Sequence, residues 1–98
     1  TGKERSMSPL ADQQVTVEYD DGRLNQRGGV AARTVQVVQG TMLMELVVRL
    51  ETLYRRQYVR WSDFSVRLGR GAGLVERPRA KTLLKDGDRV LVESWLPV

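Results

Sequence analysis

Lys81-Thr82-Leu83-Leu84-Lys85-Asp86-Gly87-Asp88-Arg89-Val90-Leu91-Val92-Glu93-Ser94-Trp95 is the stretch on which the fold turns. Leu83 and Leu84 plug a turn, Asp86-Gly87-Asp88 makes a tight corner, and a strand follows over Val90 to Leu96. Val90 and Val92 point to one face of that strand, Leu91, Glu93 and Trp95 to the other. A strand this apolar does not suit a sheet edge, where unpaired backbone would meet water beside apolar side chains. It predicts earlier strands on both of its sides.

Those strands are legible upstream. Val15, Val17 and Tyr19 alternate with Thr16 and Glu18, which predicts a half-buried strand closed by the turn residues Asp20-Asp21-Gly22. Arg33 to Val38 alternates in the same way. The segment between them, Arg23 to Ala32, carries Gly28-Gly29 and is longer than a tight hairpin loop, so it reads as a surface insertion or a binding loop. Gly40 breaks the second strand, and Thr41 is a candidate N-cap for a helix running to about Gln57. With Met44 three residues beyond Thr41, no capping box is expected from that start.

On that helix Leu43, Leu46, Val47, Leu50, Leu53, Tyr54 and Tyr58 fall in one stripe, and Glu45, Arg49, Thr52 and Arg56 oppose it. Glu45–Arg49 and Glu51–Arg55 are spaced as favourable pairs. Met44 and Val48 fall on the flank, where partial exposure would make a small docking patch, unless the tail or the long loop covers them. Tyr58 and Trp61 sit in a connection and are expected beneath the helix end. Phe64, Val66 and Leu68 then face inward on a third strand, with Ser65 and Arg67 outward. Gly69-Arg70-Gly71-Ala72-Gly73 reads as a hairpin turn; Leu74 stands where a dinucleotide-binding loop needs glycine, and no Lys-Ser/Thr pair follows as in a P-loop. Leu74 and Val75 give a short fourth strand before Pro78.

The 98 residues amount to one domain, expected over 15–98 behind a polar tail over 1–14. Cysteine and histidine are both absent. Thiol nucleophiles, disulfides and thiolate metal sites are thereby excluded, and the commonest general base and metal ligand are missing. No cofactor and no metal are expected. No apolar run approaches the roughly 18 to 20 residues of a membrane span. The absence of cysteine is compatible with any redox compartment and gives no localisation. A soluble, intracellular protein is the favoured expectation, and an opening Thr1 is that of a processed form or fragment, compatible with a removed organelle presequence. Residues 1–49 hold six basic and six acidic residues, so the whole excess of +4 lies beyond them. Arg55, Arg56, Arg60, Arg67, Arg70, Arg77, Arg79 and Lys81 concentrate it in residues 55–81. Arginine suits phosphate and carboxylate, which admits an anionic partner, although a solvated face explains clustered charge as well.

Strand, strand, helix, strand, short strand, strand (ββαββ) predicts a two-layer α+β domain, a mixed four- to five-stranded sheet with one helix on one face. Leu84-Lys85-Asp86-Gly87-Asp88-Arg89-Val90 also resembles the closing L-x-x-G-D-x-V element of the β-grasp, or ubiquitin-like, superfamily. Sulfur carriers, the TGS domains of RNA-binding enzymes and small bacterial ubiquitin-like proteins share that element. The resemblance implies the β-grasp fold, with the last strand central beside the first. The departures matter too. Conjugation and sulfur carriage work through a C-terminal Gly-Gly, so neither is expected of a chain whose last residues are Trp95-Leu96-Pro97-Val98, and the ferredoxin variant needs cysteines.

Three roles compete. The first is a non-catalytic protein-interaction module, a small subunit or adaptor. Its candidate surface is the outer sheet face with Arg67, Leu91, Glu93 and Trp95, and second the helix flank at Met44 and Val48. The alternative is an RNA-binding or ribonucleoprotein subunit, in which Arg55, Arg56, Arg60, Arg70, Arg77, Arg79 and Lys81 contact phosphate while Tyr58 and Trp61 stack on bases. The third is an enzyme, which is not expected. Asp20, Asp21, Asp63, Glu76, Asp86 and Asp88 sit mostly in turns, and no nucleophile–base constellation can be assembled from them.

Overall fold

The computed structural model of the chain describes residues 13–22 and 32–94. Most of the N-terminal tail, residues 23–31 of the long loop, and Trp95 lie outside them. The elements run β1 (Gln14–Asp21), β2 (Arg33–Val38), helix α1 (Leu43–Arg55), a 3-10 turn (Trp61–Asp63), β3 (Phe64–Arg70), β4 (Gly73–Val75) and β5 (Arg89–Ser94). They form an α+β domain with one helix and a mixed five-stranded sheet ordered β2-β1-β5-β3-β4.

The closing strand does occupy the middle. β5 runs parallel to β1 and antiparallel to β3, which puts Val90 beside Tyr19 and Leu68, and Val92 beside Asp21 and Val66. The other neighbouring pairs are antiparallel. Val17, Tyr19, Val37, Val66, Leu68, Val90 and Val92 share the sheet face that buries Leu43, Leu46 and Val47 of the helix. Each such side chain contributes about 1.5 to 3 kcal/mol on leaving water.

The corner before β5 is built by its own polar residues. Gly87 adopts φ +87°, a left-handed backbone in which any Cβ is strained. That geometry aims the corner at β1. Asp86 Oδ1 accepts the Thr16 N–H at 2.7 Å, Gly87 N–H donates to the Thr16 carbonyl at 2.8 Å, and Glu18 N–H donates to the Asp88 carbonyl at 2.9 Å. Asp88 is 1% exposed. Its carboxylate accepts two bonds from the Arg70 guanidinium, at 2.9 and 2.7 Å, and one from the Lys85 N–H at 2.8 Å. The Leu-x-x-Gly-Asp-x-Val signature thus has a mechanical meaning here. Buried Leu84 anchors the turn, Gly87 makes it, and Asp88 locks it to β3. Leu83, by contrast, is half exposed and plugs nothing.

The glycine-rich stretch is a hairpin: Arg70 pairs with Gly73 across a two-residue turn in which Gly71 has φ +60°.

The helix departs from its predicted frame. Its N-cap is Met42, not Thr41, whose hydroxyl instead donates to the Val38 carbonyl at 2.6 Å. Counted from Met42, Glu45 is in the capping position, and its Oε1 accepts the Met42 N–H at 2.7 Å. The Leu43 and Met44 N–H groups donate to the carbonyls of Thr82 (2.7 Å) and Ala80 (2.9 Å), so the stretch before the corner closes the helix start. The helix ends at Arg55, because Arg56 turns left-handed at φ +57°.

The apolar stripe is also rolled. Leu53 is 66% exposed and Tyr58 is 95% exposed, whereas Glu51 is fully buried. Leu53 and Glu51 lie roughly 80° to either side of Leu43 at 100° per residue, so a modest roll exchanges them. The polar partners waiting on β1, described below, favour the side with Glu51. Tyr58 therefore does not pack beneath the helix end; Trp61 does, half-buried against the core.

Candidate functional site

The face of the sheet away from the helix carries Arg67, Leu91 and Glu93 of the predicted outer residues, while Trp95 lies outside the described residues. Leu91 is half-buried at its centre, paired with Arg67 of β3 and Asp20 of β1, and Glu93 is paired with Ser65. Arg67 and Glu93 are exposed. Next along β5, the Arg89 guanidinium lies over Gly69, where an added Cβ would meet its nitrogen at 2.7 Å. An apolar centre ringed by both signs of charge has the composition of a contact surface. Further along the same face, Glu18, Thr34, Asp86 and Arg89 are among the residues lining an open groove of about 310 Å³. Both signs of charge line it, so it selects no simple ion.

The helix flank is less available. Met44 and Val48 are half-buried, Val48 packs against the core, and the backbone at Met44 is bonded to the Ala80 strap. The tail over 1–12 and loop residues 23–31, either of which was expected as a possible cover for this flank, lie outside the described residues.

The basic segment does not form one patch. Arg70 is committed to Asp88 and to the Leu83 carbonyl. Arg55 is sealed in, its side chain 6% exposed. Arg56 and Arg60 are exposed beyond the C-terminal end of the helix, whereas Arg77, Arg79 and Lys81 are exposed around the strap at its N-terminal end. Thirteen helical residues, about 20 Å at 1.5 Å each, separate the two groups.

Arg55 belongs to a cluster that the sequence reading missed. Its Nε donates to Glu51 Oε1 at 2.7 Å, and its terminal nitrogen lies 3.5 Å from Asp21 Oδ2. The Tyr19 hydroxyl donates to Glu51 Oε2 at 2.6 Å. The guanidinium also lies 5.8 Å from the centre of the Phe64 ring, and at the cluster's border the Arg33 guanidinium stands 4.9 Å over Tyr54. Burial foremost, and then a hydrogen bond with Asp21, push the Glu51 carboxyl up to about 7, against the opposing pull of Tyr19 and Arg55. Burial and the same carboxylate push the Tyr19 phenol upward too. One signal for the cluster was present. Asp21 continues the inward alternation of Val17 and Tyr19, so it is the last residue of β1 and not part of a turn.

Perturbed carboxyls in a cleft suggest catalysis. Glu51 is wholly enclosed, and the bonds of the cluster tie β1 to the helix through Tyr19, Asp21 and Arg55. Among the described residues no group of three or more acidic side chains is placed to hold a metal ion, and no helix is long and apolar enough to cross a membrane. Comparison with protein-family models and with curated proteins gives no match for the chain.

Proposed function

We propose that this chain is a non-catalytic, ubiquitin-like module of the β-grasp type that docks a protein partner through its outer sheet face. The parallel pairing of the last strand with the first at the centre of the sheet supports the β-grasp reading, as does the buried Asp88 corner. The observation that carries the docking reading is Leu91, an apolar side chain at the middle of a sheet face that no described element covers, flanked by Arg67, Asp20 and Glu93. The carboxylates favour a non-catalytic role. Asp21, Glu51, Asp63, Asp86 and Asp88 all accept bonds that hold the fold.

The nucleic-acid reading is the weaker one, since two of its seven basic residues are spent in ion pairs and the rest divide between the ends of the helix. The test uses wild-type, Leu91→Glu and Arg67→Glu chains as bait in affinity purification with quantitative mass spectrometry. Proteins enriched by the wild type are expected to fall at least tenfold with Leu91→Glu and to persist with an Arg77→Ala/Arg79→Ala/Lys81→Ala chain. An unchanged set with Leu91→Glu removes this surface from consideration. RNA binding that falls steeply with salt, and is lost in the triple variant, would favour the alternative.

A further inference from the structure

The described strands leave the sheet with two edges. β4 is three residues long, too short to template another strand, but β2 is six residues long and carries no proline, lysine or acidic residue along Arg33-Thr34-Val35-Gln36-Val37-Val38. Those are the devices by which edges are usually blunted. Among the described residues β2 pairs only with β1.

Which backbone groups it leaves open follows from β1. Gly87 donates to the Thr16 carbonyl and Glu18 donates to the Asp88 carbonyl, so the even residues of β1 bond towards β5. The odd residues Val15, Val17 and Tyr19 therefore bond towards β2, where they face Val37, Val35 and Arg33. The bond from Gln39 N–H to the Gln13 carbonyl fits the same phase. Thr34, Gln36 and Val38 must then direct their N–H and C=O groups away from the sheet. The Val38 carbonyl is already taken by Thr41, through both its N–H and its hydroxyl. Among the described residues, that leaves open both groups of Thr34, both of Gln36 and the Val38 N–H.

We infer that this edge pairs with β2 of a second copy, antiparallel about a two-fold axis at Gln36, to make one continuous ten-stranded sheet. In that register the two Gln36 residues exchange both of their bonds, and each Val38 N–H reaches the Thr34 carbonyl of the other copy. Val35 falls opposite Val37 on the helix side, where both already pack against the core. On the outer face Gln36 meets Gln36 and Thr34 meets Val38. Arg33 falls opposite Gln39, so no like charges are juxtaposed. An edge contact of this kind buries little area, which puts the association in the weak, concentration-dependent class. The inference concerns a different surface from the Leu91 face and does not rest on it.

Sedimentation velocity and equilibrium on the full chain, from about 10 μM to 1 mM, test it, with tens to hundreds of micromolar expected for a weak interface. The wild-type average mass should rise from the monomer's 11.1 kDa towards twice that value. Gln36→Lys and Gln36→Glu each place like charges across the axis. Each chain alone should stay monomeric, and an equimolar mixture should recover the dimer. Gln36→Pro removes only an outward donor and should abolish pairing while keeping the native circular dichroism. A Leu91→Glu chain should dimerise as the wild type does. A wild type that stays monomeric to 1 mM overturns the inference. So do single-charge variants that dimerise unchanged, or a mixture that fails to restore the dimer.

Discussion

Replacing Glu51 by glutamine should make the stability of this domain almost independent of pH between 5 and 8. The reasoning begins with proton counting. In the unfolded chain the carboxyl has its ordinary value of 4.5, and in the folded chain it is pushed up to about 7. Between those values the folded state keeps a proton that the unfolded state has lost. Stability is therefore fully present below about 4.5, falls as pH rises through the window, and levels off above 7. At about 1.4 kcal/mol for each pH unit by which an acid is moved, the loss approaches about 3 kcal/mol. For a domain of this size that is roughly 10 to 20 °C in Tm. The groups facing Glu51 are Tyr19 and Asp21 from β1 and Arg55 from its own helix, with Arg33 of β2 and Tyr54 at the border. The chain has no histidine or cysteine. Apart from the terminal amino group, nothing else ordinarily titrates there. In Glu51→Gln the amide oxygen can keep the Arg55 bond while the nitrogen donates to the Tyr19 oxygen. The assay is urea denaturation followed by circular dichroism at half-unit pH steps. The wild type should lose stability from pH 5 to 8, and the variant should hold a near-constant value that meets or exceeds the wild type at pH 8. A flat wild-type profile, or an equal slope in the variant, would refute the reasoning.

Other consequences are as specific. Asp88→Ala strips the acceptor from Arg70 and from the Lys85 N–H and should cost about 2 to 3 kcal/mol, measured by chemical denaturation. Gly87→Ala forces a side chain into a left-handed backbone and should cost about 1 kcal/mol by the same assay, whereas Gly22→Ala, with a negative φ and open space, should cost less than half of that. Thr52 Oγ1 is buried without a hydrogen-bond partner, so Thr52→Val should raise stability by about 1 kcal/mol. Leu53→Ala and Tyr58→Ala, both at exposed positions, should change stability by less than about 0.5 kcal/mol; a loss near 3 kcal/mol at Leu53 would restore it to the core.

The closing strand was readable because its constraints are local. The alternation of Val90 and Val92 sets its face, and Gly87 beside Asp88 sets its corner. The central position follows from apolarity on both faces, and the pairing with β1 and β3 agrees. The roll of the helix was not readable. Periodicity gives the direction of the apolar centroid, and Leu53 weighs in that centroid as heavily as any core leucine. What decides the roll is a set of partners distant in sequence. Tyr19 and Asp21 face inward on β1, and they need a carboxyl and a guanidinium at the helix positions that cover them. The same reason hides the fate of the basic segment. Nothing local separates Arg70, held by a carboxylate 18 residues on, from Arg77, which is exposed.

Asp88 and Glu51 show why burial beside an arginine does not settle the direction in which a carboxyl moves. Burial presses both upward. At Asp88 it is outweighed by a bidentate guanidinium and a backbone N–H, with the Lys85 and Arg70 charges adding to them, so the carboxyl is held below its usual range. At Glu51 the arginine is shared with Asp21, so two acids compete for one positive charge, and a retained proton resolves the excess. The two groups therefore bound stability from opposite sides. Asp88 contributes stability above its unfolded value of 3.8 that is lost as pH falls through its lowered folded value. Glu51 contributes stability that is lost as pH rises towards 7. Maximum stability should fall between them, near pH 4 to 5, on the acid side of the range usual for globular domains. Removing the competition offers a separate check on this account. Asp21→Asn leaves Arg55 to Glu51 alone and should bring the Glu51 carboxyl back towards its ordinary value, moving the stability maximum to higher pH. A maximum that stays in place would mean that burial alone, and not the second acid, holds the proton.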